Sequence, residues 1–92
     1  MSRRITLKIY IGNLPWSIAD NELDALFAVH GHIVSAQVVS DKEHKRSGGF
    51  GFVVMDTESG NRAILALDGY ELESNTLRVH EAETTEKRVI NL

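Results

Sequence analysis

Between Ile5 and Gly12 apolar and polar residues alternate: Ile5, Leu7, Ile9 and Ile11 are aliphatic, with Thr6, Lys8 and Tyr10 between them. A period of two is what a strand with one buried face requires, so this segment reads as a strand with its odd positions inward. Gly12-Asn13-Leu14-Pro15 ends it with turn-forming residues. From Asp20 the period changes. Leu23, Leu26 and Phe27 fall at i, i+3 and i+4, one face of a helix, with acids opposite. Ser17 or Asp20 is placed to cap its start and Gly31 to follow its end. Ile33–Ser40, rich in β-branched residues, reads as a second strand, Asp41–Gly49 as a charged loop and Phe50–Met55 as a third strand. Asp56 or Thr57 opens a second helix with Ala63, Ile64 and Leu67 as its apolar stripe. Gly60 inside it costs about 1 kcal/mol relative to alanine. After the turn at Asp68-Gly69, Thr76–Glu81 is the last strand, with Leu77 and Val79 inward.

The order strand, helix, strand, strand, helix, strand predicts an α+β fold, the ferredoxin-like βαββαβ sandwich. Its four-stranded antiparallel sheet carries both helices on one face and leaves the other to water. On the open face the alternation places Lys8, Tyr10, Gly12, Ser35, Gln37, Val39, Phe50, Phe52, Val54, Arg78 and His80. Three aromatic rings there are more than solubility alone would select. The opposite parity in the third strand would bury Phe50 and Phe52. It would also expel Val53 and Met55 and still leave Tyr10 outside. Because a one-residue slip flips a whole strand, the first and third strands check each other, and the rings are read as exposed. Gly12 is expected to leave room for a flat ligand, and Gly51, facing inward, to let a helix approach closely.

Ninety-two residues make one small domain, burying roughly 60–65% of the surface of the unfolded chain. The 42% hydrophobic content supports such a core. With no cysteine, disulfides, thiolate metal sites and cysteine nucleophiles are excluded. No apolar run is long enough to span a bilayer, and the basic start Met1–Lys8 lacks the apolar stretch of a secretion signal. The expected compartment is the cytoplasm, with the nucleus as the alternative in a eukaryote. The net charge of −3 argues mildly against a strong nucleic-acid binder, but its placement matters more than its sum. Lys8 and Arg78 are the only charges expected on the open face. Asp20, Glu22, Asp24 and Glu58 lie on the helices, and Arg3, Arg4, Lys45 and Arg46 border the open side.

Catalytic chemistry finds no foothold. Gly48-Gly49-Phe50-Gly51 is followed by neither Gly-Lys-Ser/Thr nor a helix, so it is no phosphate loop. His30 and His32 without a carboxylate are weak as metal ligands. No catalytic residue, metal or cofactor is expected. Trp16 reads as covering the edge of the core and Tyr70 as capping its end.

Two segments together resemble a known family. Ile9-Tyr10-Ile11-Gly12-Asn13-Leu14 is similar to the shorter motif of the RNA recognition motif, and Gly48-Gly49-Phe50-Gly51-Phe52-Val53-Val54-Met55 to its longer one. The likeness runs from about Lys8 to Ala82, and the short form is similar to small RNA-binding proteins of bacteria, with compact eukaryotic versions of the family not distinguished from them. It implies a domain over 8–82, a basic arm or strand extension over 1–7 and a tail over 83–92. It also implies that Tyr10 and Phe52 stack neighbouring bases, and that Phe50 packs against the sugars between them. Lys8, Gln37, Arg46, Arg78 and His80 complete the expected RNA-binding set. Asn13 is read as a turn former rather than a ligand. The sequence departs from the family pattern at Gly48, where a basic residue normally meets a phosphate, and Arg46 or Lys45 would have to supply that charge. Met55 replaces an aromatic but faces the core, where a flexible apolar side chain fits. The expected partner is single-stranded RNA, with single-stranded DNA not distinguished by stacking. The rival reading is a protein-binding module using the helical face or the C-terminal tail. A monomer without membrane contact is expected.

Overall fold

A computed structural model describes residues 5–41 and 46–82. The elements are β1 (Thr6–Gly12), α1 (Asp20–Ala28), β2 (Ile33–Asp41), β3 (Arg46–Asp56), α2 (Thr57–Leu67), β4 (Glu71–Leu72), β5 (Asn75–Thr76) and β6 (Arg78–Glu81). The main sheet is antiparallel in the order β2-β3-β1-β6, and β4 pairs with β5 in a separate ribbon.

The core lies between this sheet and the helices. Leu7, Ile9 and Ile11 of β1, Val53 and Met55 of β3, and Val79 of β6 enter it from the sheet. Leu23 and Phe27 of α1 and Ala63 and Leu67 of α2 meet them. The alternating aliphatic set is therefore the buried one. Ile5 is the exception at 69% exposed, because β1 begins one residue later and only the Ile5 carbonyl is engaged, accepting from the Thr57 N–H and hydroxyl. Gly51 faces inward as expected: a Cβ there would stand 3.1 Å from Leu23 of α1. Gly60 lies where α2 crosses β1, with Leu7 2.9 Å from the position of an added Cβ. The residue that weakens the helix is the one that lets it sit close to the sheet.

Three local expectations are corrected. Neither Ser17 nor Asp20 caps α1. The N-cap is Ala19, whose N–H donates to Glu22 Oε1 at 2.9 Å, so a side chain from within the helix satisfies the start. Asp20 is drawn elsewhere, its Oδ1 accepting from the Val38 N–H of β2 at 2.7 Å. Asp68 does the same for Val79 of β6 at 3.0 Å. These are the two edge strands, so each carboxylate closes a donor that would otherwise be open to a foreign strand.

The charged loop is also shorter than expected. β3 begins at Arg46, which pairs with Asp41, so Arg46 belongs to a strand and not to a loop. The last strand is divided. Asn75–Thr76 turns back on Glu71–Leu72 through Glu73 and Ser74, both at positive φ (51° and 74°), and only Arg78–Glu81 joins the main sheet. Such hairpin turns usually advertise themselves with Gly, Asn or Asp, and this one has none.

Candidate nucleic-acid interface

The register aligns the open-face residues into rows across the sheet. Tyr10 stands opposite Phe52 of β3 and His80 of β6, and Phe52 stands opposite Gln37 of β2. Gln37, Phe52, Tyr10 and His80 thus form one line crossing every strand of the sheet. In the next row Gly12 lies between Phe50 and Arg78, and on the other side Lys8 pairs with Val54. Tyr10, Phe50 and Phe52 are half-buried by one another, while Gln37, Arg78 and His80 are exposed.

The rings form one connected platform. Tyr10 lies near-parallel to Phe50, with centroids 6.0 Å apart and planes at 28°. It lies near-parallel to His80 too, at 4.9 Å and 29°. Phe52 meets Tyr10 at 64° and Phe50 at 88°, edge to face. Lys8 Nζ sits over the Phe52 ring, 4.7 Å from its centroid, which holds a positive charge beside the aromatic surface. His80 Nδ1 is 3.1 Å from the Glu81 carbonyl oxygen. In the tautomer with its proton on Nδ1 this contact is a hydrogen bond, and Nε2 is then an acceptor.

The space above Gly12 is not left for a ligand, contrary to expectation. A Cβ at Gly12 would stand 2.8 Å from Tyr10 Oη and 2.9 Å from its Cε2. The tyrosine ring itself leans along β1 and lies over the glycine.

The loop after β1 is held on both sides. Asn13 is left-handed, φ 62°, and its Nδ2 donates to the Thr76 carbonyl at 2.8 Å. Asn75 Nδ2 donates in return to the Asn13 carbonyl at 3.1 Å. On the other side the Leu14 N–H donates to the Gly49 carbonyl at 2.9 Å. Asn13 is therefore a turn former that ties β1 to the β4–β5 ribbon. Leu14 and Pro15 are buried here, and the turn from Pro15 to Ile18, closed by Ile18 N–H on the Pro15 carbonyl, carries Trp16 outward at 66% exposed. Trp16 does not cover the core's edge, because its neighbours already do. Tyr70, at 43% exposed, likewise does not seal the core's end.

The helical layer carries an apolar groove of about 320 Å³ lined by Ile18, Leu26, Val29 and Leu72, with Glu22 and Glu73 among its walls. Among the described residues no three His, Asp or Glu side chains are grouped to hold a metal, and no helix is long and apolar enough to cross a membrane. Lys45, Arg3, Arg4 and the tail from residue 83 lie outside the described residues, as does the side chain of Arg46.

Residues 9–78 match the family model of the RNA recognition motif. The chain belongs to that family. Membership makes this RNA recognition motif a binding module and not an enzyme. It is 51% identical over 82 residues to the chloroplastic 28 kDa ribonucleoprotein of Spinacia oleracea, a match covering 88% of the chain and 35% of that relative. Among solved structures it is similar to the crystal structure of RNA binding protein PG1, with TM-score 0.78 and 38% identity over 85% of this chain and 95% of that one. It is also similar to the Sxl-lethal protein/RNA complex, with TM-score 0.78 and 35% identity over 83% of this chain and 47% of that one. The chain thus spans about a third of the spinach ribonucleoprotein it matches. That relative is chloroplastic, so the expected cytoplasmic location finds no support there.

Proposed function

We propose that residues 8–82 bind single-stranded RNA across the open face of the sheet. One base stacks on Tyr10 and its neighbour on Phe52, with Phe50 against the sugar between them. The observation that carries this reading is the single row of Gln37, Phe52, Tyr10 and His80, three of them rings, with Lys8 over one of the rings. Every base has a π-face, and stacking on an exposed ring is worth roughly 1–3 kcal/mol per base. Gln37 and His80 stand at the ends of the row, where a donor or acceptor meets base edges. Lys8 and Arg78 supply positive charge for phosphates, and Arg46, at the start of β3, replaces the basic residue missing at Gly48. The similarity to a protein solved in complex with RNA supports RNA as the ligand. The spinach relative supports an organellar place of work, which fractionation of the source cells would check.

Few cations on the face mean few phosphate contacts. One to three are expected, so affinity should fall about three- to twentyfold between 50 and 200 mM salt and lie in the micromolar range or weaker. Titrating labelled single-stranded RNA at several salt concentrations measures the slope. A slope worth six or more phosphates would contradict this reading.

Gly12 offers a second check. Gly12→Ala places a methyl group where the Tyr10 ring lies, on the open side and without a left-handed φ to strain. The ring has to swing off the platform. RNA affinity should drop about five- to tenfold, on the order of 1 kcal/mol, with the circular dichroism spectrum unchanged.

A further inference from the structure

We propose that Trp16 is a further nucleobase-stacking residue, taking the base that leaves the platform at its Phe50 end. This rests on the reading of the open face as the RNA site. The register brings the relevant loops together. Gly12, the last residue of β1, lies between Phe50 in the middle of β3 and Arg78 at the start of β6. The loop after β1 therefore emerges at the end of the sheet where Phe50 and Arg78 stand. Leu14 is bonded there to Gly49, the residue before Phe50. Trp16 follows two residues on, its Cα within roughly 8 Å of that of Leu14.

An indole with 66% of its surface in water is an unusual use of the residue. It is not exposed through looseness of its support. Asn13 and Asn75 tie the loop to β5, Leu14 ties it to β3, and the Pro15 carbonyl closes the turn around it. A base landing on Trp16 therefore meets a mount ordered in advance, and little loop freedom is lost on binding. The other apolar side chains that are more than half exposed among the described residues, Ile5, Val29, Val34 and Leu65, are aliphatic and have no π-face. Arg78 adds a cation at the same end of the sheet, where the strand's phosphates would pass.

Trp16 is the only tryptophan in the chain, so its emission reports on this site alone. A short random-sequence single-stranded RNA pool, labelled for anisotropy, should be titrated into the protein while indole fluorescence is followed. Quenching along the same isotherm as the anisotropy is expected. Trp16→Ala should weaken binding about fivefold or more, and Trp16→Phe should restore most of it, because a phenyl ring still stacks. Both variants should melt like the wild type, since the side chain lies outside the core. Saturating anisotropy with unchanged emission, and wild-type affinity for Trp16→Ala, would overturn this proposal and leave the open-face reading standing. No binding by any probe would overturn both.

Discussion

Phe52→Ala is expected to weaken RNA binding by roughly 1–3 kcal/mol, about five- to 150-fold, while the domain stays folded. Phe52 stands in the row that crosses the whole sheet, between Tyr10 and Gln37. It meets Tyr10 and Phe50 edge to face and carries Lys8 over its ring. Removing it takes away one stacking surface and releases the lysine from its place beside the platform. None of these partners lies in the core, so stability should change by only about 1.5–2.5 kcal/mol, the worth of two exposed aromatic contacts and a cation–π contact near the low end of their ranges. The comparison needs two measurements on one variant, an RNA titration and a thermal melt. Severe unfolding would mean that the ring is a core residue and that the face has been misassigned.

The opposite pairing of effects is expected at Phe27. Its side chain is fully buried, 0% exposed, on the inner face of α1. Phe27→Ala leaves a large void under the helix and should cost about 3–5 kcal/mol. A domain of this size holds only about 5–10 kcal/mol in total, so this is a large fraction of its stability. At about 4–8 °C per kcal/mol, the melting midpoint should fall by well over 10 °C. RNA affinity, measured at low temperature on the folded fraction, should be nearly unchanged, because α1 lies on the far side of the sheet. A Phe27 variant that melts like the wild type would show that the core is assigned to the wrong layer.

These opposite outcomes at two phenylalanines depend on strand parity, and that parity could be read before any coordinates. Ile9 and Ile11 alternate with Tyr10, and Val53 and Met55 with Phe52. Burying one set forces the other outward, because side chains on a strand alternate strictly. The helix spacing of Leu23 and Phe27 is similarly local, and both are buried. Where the reading failed, the deciding partner lay far along the chain. Asp20 looks like a helix cap in its own neighbourhood, but the open N–H of Val38, 18 residues away, is the better use of its carboxylate. Trp16 looks like an edge cover until Leu14 and Pro15 are seen to fill that edge. The β4–β5 ribbon had no turn signal at Glu73-Ser74. It forms where Asn75 and Thr76 exchange bonds with Asn13, more than 60 positions away.

Local pattern was enough for the βαββαβ frame, for the inward sets Leu7, Ile9 and Ile11 and Val53 and Met55, and for the outward rings Tyr10, Phe50 and Phe52. All of these follow from periodicities of two and 3.6, which are properties of short stretches. The packing of the rings against one another, the place of Tyr10 over Gly12, and the extension of the row to His80 at one end and Gln37 at the other came from the folded chain. Those depend on strand register and on contacts between residues distant in the chain, and no local pattern of apolar and polar positions encodes them.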